Sequence, residues 1–250
     1  MARTGKKLVP KKGKKKKGIF KRILRKVLYV FILLFIFSIV QVLVFKWVPP
    51  LFTIKMFLNK MELVFSGAED TEIYYDWQSY NNIAYHMPLA VIAAEDQKFP
   101  EHSGFDVEAI EKAIESNKKG RKVRGASTIS QQVAKNVFCW PSRSYLRKAV
   151  ESYYTVLIEL LWSKKRIVEV YVNIAEMGPA TYGVEAASQR FFNKPASKIS
   201  RQQAALLAAV LPNPIKLSAK NPSIYVYNRS NWISRQMNQL GGKKFLEQLE

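Results

Sequence analysis

The sequence has one cysteine, Cys139, and only two histidines among its 250 residues. A disulfide within the chain is therefore excluded, and cysteine usage leaves the redox compartment undetermined. We expect Cys139 to be a buried, unreactive thiol. The alternation of apolar and polar residues that is typical of strands is also scarce, whereas helical periodicity is frequent. This pattern predicts a mainly α fold.

Acidic residues are absent from 1–26, a segment that holds thirteen Lys or Arg. The net charge of +21 would suggest a nucleic-acid-binding protein, but the remaining 27 basic and 19 acidic residues give only +8. Most of the excess charge thus lies in a basic tail, and such tails are usually disordered. We expect attraction to anionic membrane lipids and no nucleic-acid partner.

Formal charge is also absent from 27–45, which read VLYVFILLFIFSIVQVLVF. A helix of this length would be roughly 28 Å long and could cross the bilayer core of about 30 Å. A signal peptide would have a shorter apolar region and a small-residue cleavage site. The basic flank stays cytoplasmic by the positive-inside rule. We predict a cytoplasmic tail at 1–26, a transmembrane helix at 27–48, a juxtamembrane linker at 49–87 and an exported domain at 88–250.

Chemistry-bearing residues first appear in AAEDQKFPEHSGFD, residues 93–106. Glu95 and Asp96 stand where an apolar segment ends, and His102 follows. One interpretation is the exposed end of a surface helix. The other is a carboxylate placed at an apolar edge, where desolvation would raise its pKa.

A second candidate is the helix expected at 128–138. Thr128 and Gln131 have the spacing of a capping box. One face of this helix is apolar, and the other carries hydrogen-bond donors: Thr128, Gln131, Gln132 and Lys135. Donors beside a helix N-terminus suit sugar hydroxyls and phosphate oxygens, although a solvated face gives the same pattern.

A third candidate is the helix expected at 144–162 with its preceding residue Arg143. Arg143, Arg147 and Glu151 are four residues apart. They either form ordinary surface ion pairs, worth about 0.2–0.5 kcal/mol each, or hold an anionic substrate group. Farther along, Gly178 is predicted to end the helix at 164–176. The polar segment 116–124 either covers the site or is an ordinary solvent loop.

Four fragments in order carry a resemblance to a known family. They are EDQKFPEHSG at 95–104, GASTISQQ at 125–132 with Lys135-Asn136, Arg147-Lys148 with Glu151, and Lys165-Arg166-Ile167 with Glu169, Tyr171 and Asn173. Together they span roughly 88–214 and resemble the peptidoglycan glycosyltransferases, which include monofunctional transglycosylases and the glycosyltransferase domain of bifunctional penicillin-binding proteins. Ala126 and Ser130 replace a Gly and a Thr common in the family, with little change in size or chemistry.

The resemblance implies a mainly α, lysozyme-like domain behind a single transmembrane helix in the inner membrane, with the catalytic domain periplasmic. The implied reaction polymerises lipid II into β-1,4-linked glycan with inversion and release of polyprenyl pyrophosphate. Glu95 is implied as general base and Glu151 as the second essential glutamate. The implied substrate-binding residues are Ser127, Gln131, Gln132, Lys135, Asn136, Arg143 and Arg147. Those implied to support the site are Asp96, Phe99, His102 and Gly104.

The resemblance also allows a divalent cation, Mg²⁺ or Mn²⁺, at the pyrophosphate, but the sequence contains no dedicated metal cage. Partners would be lipid II, the growing strand, membrane lipids and, transiently, transpeptidases. The 36 residues after Pro214 are too few for a transpeptidase domain, so we expect a monofunctional enzyme. Two alternatives stay open: a lysozyme-like lytic enzyme and a non-catalytic membrane scaffold.

Overall fold

The computed structural model describes residues 14–118 and 126–250. The chain divides into two units, Met1–Val44 and Phe45–Glu250. Helices dominate both units, which confirms the predicted mainly α fold. The segment predicted at 116–124 is helical up to Lys118, and its remaining residues lie outside the described part of the chain.

The N-terminal helix α1 comprises Lys14–Trp47. Its portion Ile19–Trp47 is long and apolar enough to cross a membrane, and the most apolar 18 residues within it have a mean hydropathy of 2.9. The basic tail is not wholly irregular as expected, because the helix already begins at Lys14. Lys and Arg are good helix formers, and the apolar run that follows extends the same helix. Residues 1–13 lie outside the described residues.

The second unit is built from nine further α-helices and three short strands within its described residues. The helices are α2 (Ile54–Phe65), α3 (His86–Glu95), α4 (Val107–Lys118), α5 (Ile129–Phe138), α6 (Tyr145–Leu161), α7 (Lys164–Ile174), α8 (Val184–Phe192), α9 (Arg201–Val210) and α10 (Ile224–Gln239). The strands are β1 (Tyr74–Tyr75), β2 (Glu176–Gly178) and β3 (Thr181–Tyr182). Short 3₁₀ helices occupy Tyr80–Asn82, Ala196–Lys198 and Gly242–Leu249.

Side-chain caps explain where most of these helices begin. Each capping residue has an extended backbone, and its hydroxyl accepts a backbone N–H from the first turn: Thr53, Thr128, Ser144, Ser163, Ser200 and Ser223. At Thr128 the predicted capping box is present, since the side chain of Gln131 also accepts from the backbone of Thr128. Such caps stabilise a helix by about 1 kcal/mol each.

Helix α3 lies at the centre of the second unit. All of its residues from Met87 to Ala93 are buried, and it packs against α7, α9 and α10. A helix that is apolar on all sides is stable only when neighbours surround it. The central position of α3 therefore follows from its sequence, and it fixes Glu95 at the end of a rigid core element.

The three strands form one small sheet in the order β1-β3-β2. Strand β1 pairs in parallel with β3, and β2 pairs antiparallel with β3. Gly178 does not end a helix as expected, because α7 already ends at Ile174 and Gly178 lies in β2. A Cβ at Gly178 would lie 2.6 Å from Cζ of Phe191, so this glycine permits the close approach of α8.

The segment predicted as a linker, 49–87, belongs to the same unit as the residues that follow it. Besides contributing β1, it is tied to α7 by two backbone groups. The N–H of Gln78 donates to Oδ1 of Asn173 at 2.8 Å, and the N–H of Tyr80 donates to Oε1 of Glu169 at 2.7 Å. Because these polar contacts are made with core helix residues, the expected boundary at residue 88 does not divide the fold.

Candidate active site

Glu95 ends α3 and faces a cavity of about 950 Å³. Its Oε2 accepts a hydrogen bond from Nε2 of Gln132 at 3.0 Å, and its Oε1 lies 3.8 Å from Nη2 of Arg229. The hydroxyl of Tyr171 donates to Oε1 of Gln132 at 3.2 Å. Since that hydroxyl occupies the amide oxygen, the amide nitrogen is directed toward Glu95.

Burial is the main influence on the Glu95 carboxyl and raises its pKa above the usual value. The neighbouring charge of Asp96 acts in the same direction. The hydrogen bond from Gln132 opposes these effects, as do the positive charges of Arg229 and Lys135. The balance gives a carboxylate that holds a proton more readily than a solvated glutamate does, which suits a general base near neutral pH.

Asp96 holds the elements around Glu95 together. Its Oδ2 accepts the backbone N–H of Ile129 at 3.0 Å, and its Oδ1 lies 2.9 Å from Nε2 of His102. The backbone N–H of Gly104 donates to Nδ1 of His102 at 3.2 Å, so the proton of a neutral imidazole belongs on Nε2. Asp96 thereby links the end of α3, the start of α5 and the intervening loop.

Two further residues shape this loop. Gly104 has φ +91°, and a Cβ there would lie 2.7 Å from Cγ2 of Thr155. Its carbonyl accepts a 2.7 Å hydrogen bond from the hydroxyl of Thr128. Phe99 is fully buried, and its ring makes a T-shaped contact with that of His102, with the centroids 6.2 Å apart. The residues expected to support the site are thus linked to one another by hydrogen bonds and a ring contact: Asp96, Phe99, His102 and Gly104.

A second cavity, of about 500 Å³, lies beside the first and is strongly cationic. Four basic side chains line it: Lys55, Lys135, Arg143 and Arg147. Lys55 pairs with Glu176 at 2.6 Å, whereas neither Lys135 nor Arg143 has a carboxylate at ion-pair distance among the described residues. The unbalanced positive charge makes this cavity suitable for an anionic group such as a diphosphate.

Glu151 lies behind the wall of the cationic cavity. It is buried and accepts from Nη1 of Arg147 at 2.5 Å and from Nζ of Lys148. Each of these cations reaches it from the same helix, three or four residues away. Glu151 therefore orients Arg147. The positive charges of Arg147 and Lys148 neutralise the charge of Glu151 without any ligand.

Lys135 lines both cavities and joins them into one groove. Its side chain is exposed to the groove, but the protein around its ammonium group partly desolvates it and lowers its pKa. The positive charge of Lys55 acts in the same direction. Glu95, Lys135 and Arg143, which lie far apart in the sequence, are thus brought to a common groove.

Of the four remaining residues that were expected to bind substrate, three line the groove and one does not. Ser127 and Gln132 line the Glu95 cavity, and Asn136 lines the cationic cavity. Gln131 does not face the groove: it is buried, and its side chain completes the capping box of α5. The helical pattern placed it on the polar face, but the cap requires that its side chain fold back onto the helix terminus.

Several residues of the groove were not found from the sequence. The helix α10 adds Tyr225, Asn228, Arg229 and Trp232 to the Glu95 cavity, and α2 adds Lys55 to the cationic one. The spacing of the four α10 residues places them on one face, which is a detectable signal. Nothing in the sequence indicates that this face lies opposite Glu95.

Cys139 is buried beside the cationic cavity, as expected, and burial raises its pKa to about 11. Such a thiol stays protonated and unreactive near neutral pH. Metal ligands are also lacking in the described part of the chain, where no three His, Cys, Asp or Glu residues are grouped so as to hold an ion. The described residues therefore do not fit a protein-built metal site.

Comparisons with known proteins agree with this geometry. The family model described as transglycosylase matches residues 62–238. The biosynthetic peptidoglycan transglycosylase of Pseudomonas putida (strain W619) is 54% identical over 213 residues, which cover 85% of this chain and 90% of that protein. The protein of the same name from Shewanella oneidensis (strain MR-1) is 52% identical over 209 residues, covering 83% and 88%. The chain therefore belongs to the transglycosylase family.

Proposed function

We propose that this peptidoglycan glycosyltransferase polymerises lipid II into β-1,4-linked glycan strands and releases polyprenyl pyrophosphate. The observation that carries the proposal is the position of Lys135, which joins the cavity of Glu95 to the cationic cavity. Transfer of a sugar from a diphosphate requires a general base and an anion-binding site in the same groove. The names of the relatives and the match to the family model support the same reaction.

Glu95 acts in this scheme as the general base. It takes the proton of the 4-hydroxyl of the acceptor N-acetylglucosamine, and the freed oxygen attacks C1 of the donor N-acetylmuramic acid. The bond from C1 to the pyrophosphate oxygen breaks, and the configuration at C1 inverts from α to β. A positioned general base contributes about 10²–10⁴-fold to the rate.

The leaving pyrophosphate departs without protonation, so it needs positive charge more than it needs an acid. Lys135 and Arg143 supply that charge directly, because neither is neutralised by a carboxylate of the described residues. Cations fixed before the reaction stabilise developing negative charge without reorganisation. Glu151 contributes by holding the guanidinium of Arg147 toward the cavity.

A divalent cation is a further proposed participant. Since the described residues include no cluster of ligands for it, such an ion would be held mainly by the substrate's own phosphate oxygens. Its role would be to neutralise the negative charge of the pyrophosphate together with the four basic side chains of the cationic cavity.

The cellular arrangement follows from the substrate and from α1. We propose that α1 anchors the enzyme in the inner membrane with the basic tail cytoplasmic and the catalytic unit periplasmic, because basic flanks remain on the cytoplasmic side. The lipid-linked substrate and the enzyme would then share one membrane surface. Transpeptidases that cross-link the product are proposed as transient partners, since the glycan alone is not cross-linked.

The full chain in detergent, incubated with labelled lipid II, tests the proposed reaction. We expect wild type to produce long glycan strands, and Glu95→Gln to lose about 10²-fold or more of that activity. Glu101→Gln is the matched control, since Glu101 is an exposed carboxylate in the same loop. In a parallel incubation with purified sacculi, release of soluble fragments, with no strands made from lipid II, would identify a lytic enzyme. Equal activity of the Glu95 variant would refute the assigned base.

A further inference from the structure

One face of α10 lines the Glu95 cavity together with the assigned substrate-binding residues Ser127, Gln132 and Lys135. It presents side chains at helical spacings of three, four and seven: Tyr225, Asn228, Arg229 and Trp232. Two of them are aromatic and well exposed, Tyr225 at 57% and Trp232 at 39%. The mechanism above assigns no role to these two rings.

The aromatic face is not required by the core. Helix α10 packs on α9 and α3 through another set of residues, which are buried: Val226, Ser230, Ile233 and Met237. Large aromatic side chains stabilise a fold by about 1.5–3 kcal/mol when they are fully buried, and the exposure of these two rings forgoes part of that contribution. Their exposure toward a groove, next to an amide and a guanidinium, is typical of a ligand-binding surface.

The composition of this cavity fits a sugar better than an anion or a lipid chain. Arg229 lies 3.8 Å from Glu95, so its charge is largely directed to the carboxylate. Lys135 lies at the junction of the two cavities, and the other unbalanced cation, Arg143, lines only the cationic cavity. The volume of about 950 Å³ suffices for at least one sugar residue, since pockets of about 300–1,000 Å³ hold small-molecule ligands.

We propose that the α10 face is the acceptor-sugar subsite, in which Trp232 and Tyr225 stack against pyranose rings. This inference rests on the proposed function and names the surface that orients the acceptor. In β-1,4-linked N-acetylglucosamine the ring substituents are equatorial, so each ring face presents apolar C–H groups. Those groups pack on the electron-rich face of an aromatic ring, while the edges of the sugar remain free for hydrogen bonds.

The subsite explains how the partly buried carboxylate of Glu95 takes its proton from one particular hydroxyl of the acceptor sugar. With the sugar ring held on the aromatic face, its position relative to Glu95 is set, and Asn228 is available to hydrogen-bond the acetamido group. Gln132 holds Oε2 of the carboxylate, whereas Arg229 of α10 lies near Oε1. Orientation of both reactants accounts for a large part of enzymatic rate enhancement.

The test uses the full chain in detergent, with lipid II as substrate and a β-1,4-linked tetramer of N-acetylglucosamine as a lipid-free competitor. We expect Trp232→Ala to raise the inhibition constant of the tetramer about tenfold, which corresponds to about 1.4 kcal/mol. KM for lipid II should rise more than kcat falls. Trp232→Phe should retain most of the affinity, and Tyr225→Ala should weaken it in the same direction as Trp232→Ala.

Tyr227→Ala is the matched control, because Tyr227 lies on the same helix with 54% exposure and does not line the cavity. It should behave as wild type. The subsite is refuted if the tetramer fails to inhibit wild type, or if both Trp232→Ala and Tyr225→Ala bind it normally. Wild-type protein that makes no glycan would refute the proposed function itself, so the two failures are distinguishable.

Discussion

The Nε2 amide group of Gln132 donates a 3.0 Å hydrogen bond to Oε2 of Glu95. This contact is directional, because the hydroxyl of Tyr171 occupies the other end of the same amide. A donor stabilises the ionised carboxylate and so opposes the effect of burial on its pKa. The proton affinity of Glu95 is therefore adjusted by a residue on another helix.

Replacing Gln132 by Leu should raise the pKa of Glu95 further, because the stabilising donor is lost while the burial remains. The acid limb of kcat/KM against pH should then move to higher pH, and activity at pH 6 should fall more than activity at pH 8. Tyr171→Phe, which keeps the amide but releases its orientation, should give a smaller shift. An unchanged profile for both variants would contradict the role of Gln132.

Replacing Glu95 by Gln should stabilise the fold increasingly as the pH rises. The carboxyl has a higher pKa in the folded chain than the 4.5 of a solvated glutamate, so the folded state favours the protonated form. Below pH 4.5 that form dominates in both states; above the folded pKa the ionised group destabilises the fold. Thermal unfolding should show a Tm difference near zero at pH 4 and positive at pH 8. A difference independent of pH would contradict the raised pKa.

Replacing Lys135 by Ala should lower kcat by about 10²–10³-fold, the range found when one preorganised group that stabilises developing charge is removed. Steady-state kinetics with lipid II measure this effect, and Lys135→Arg should restore part of it. Lys148→Ala is the control, since Lys148 contacts Glu151 without lining either cavity. Similar losses in both variants would indicate that the effect arises through general charge rather than at the groove.

Replacing Gly104 by Ala should destabilise the fold by about 1–3 kcal/mol or more, because its φ of +91° is strained for other residues and the new Cβ would meet Thr155. Gly67→Ala separates the two causes. Gly67 also has a positive φ, of +70°, but has open space around it. Denaturant unfolding should show a clearly larger loss for Gly104, and equal losses would refute the steric component.

Much of this architecture could be predicted from the chain itself. Capping hydroxyls and apolar periodicity located α5, α6 and α7 to within two residues, and the uninterrupted hydrophobic run located the body of α1 but not its beginning. Glu95, Lys135 and Arg143 were identified through motifs that resemble a family. The common groove they share depends on how the helices pack, which local sequence does not specify.

The unpredicted features have physical reasons of the same kind. Gln131 has the periodicity of a surface residue, but its side chain closes a cap, so a helical wheel misplaces it. The α10 face lies more than 120 positions from Glu95 along the chain, and only tertiary packing brings them together. Segment 49–87 has the composition of a linker, yet two of its residues complete a sheet whose other strands follow a hundred positions later.

The parallel pairing of Tyr74–Tyr75 with Thr181–Tyr182 bears on how the catalytic unit can be separated from its anchor. A shortened chain that starts at Pro88 would lose an edge of the sheet and the two hydrogen bonds between the carboxamide of Asn173 and the backbone of Gln78. One that starts near Phe45 keeps the whole second unit. Soluble enzyme for crystallisation or inhibitor screening should accordingly retain the juxtamembrane residues, even though they bring exposed apolar side chains with them.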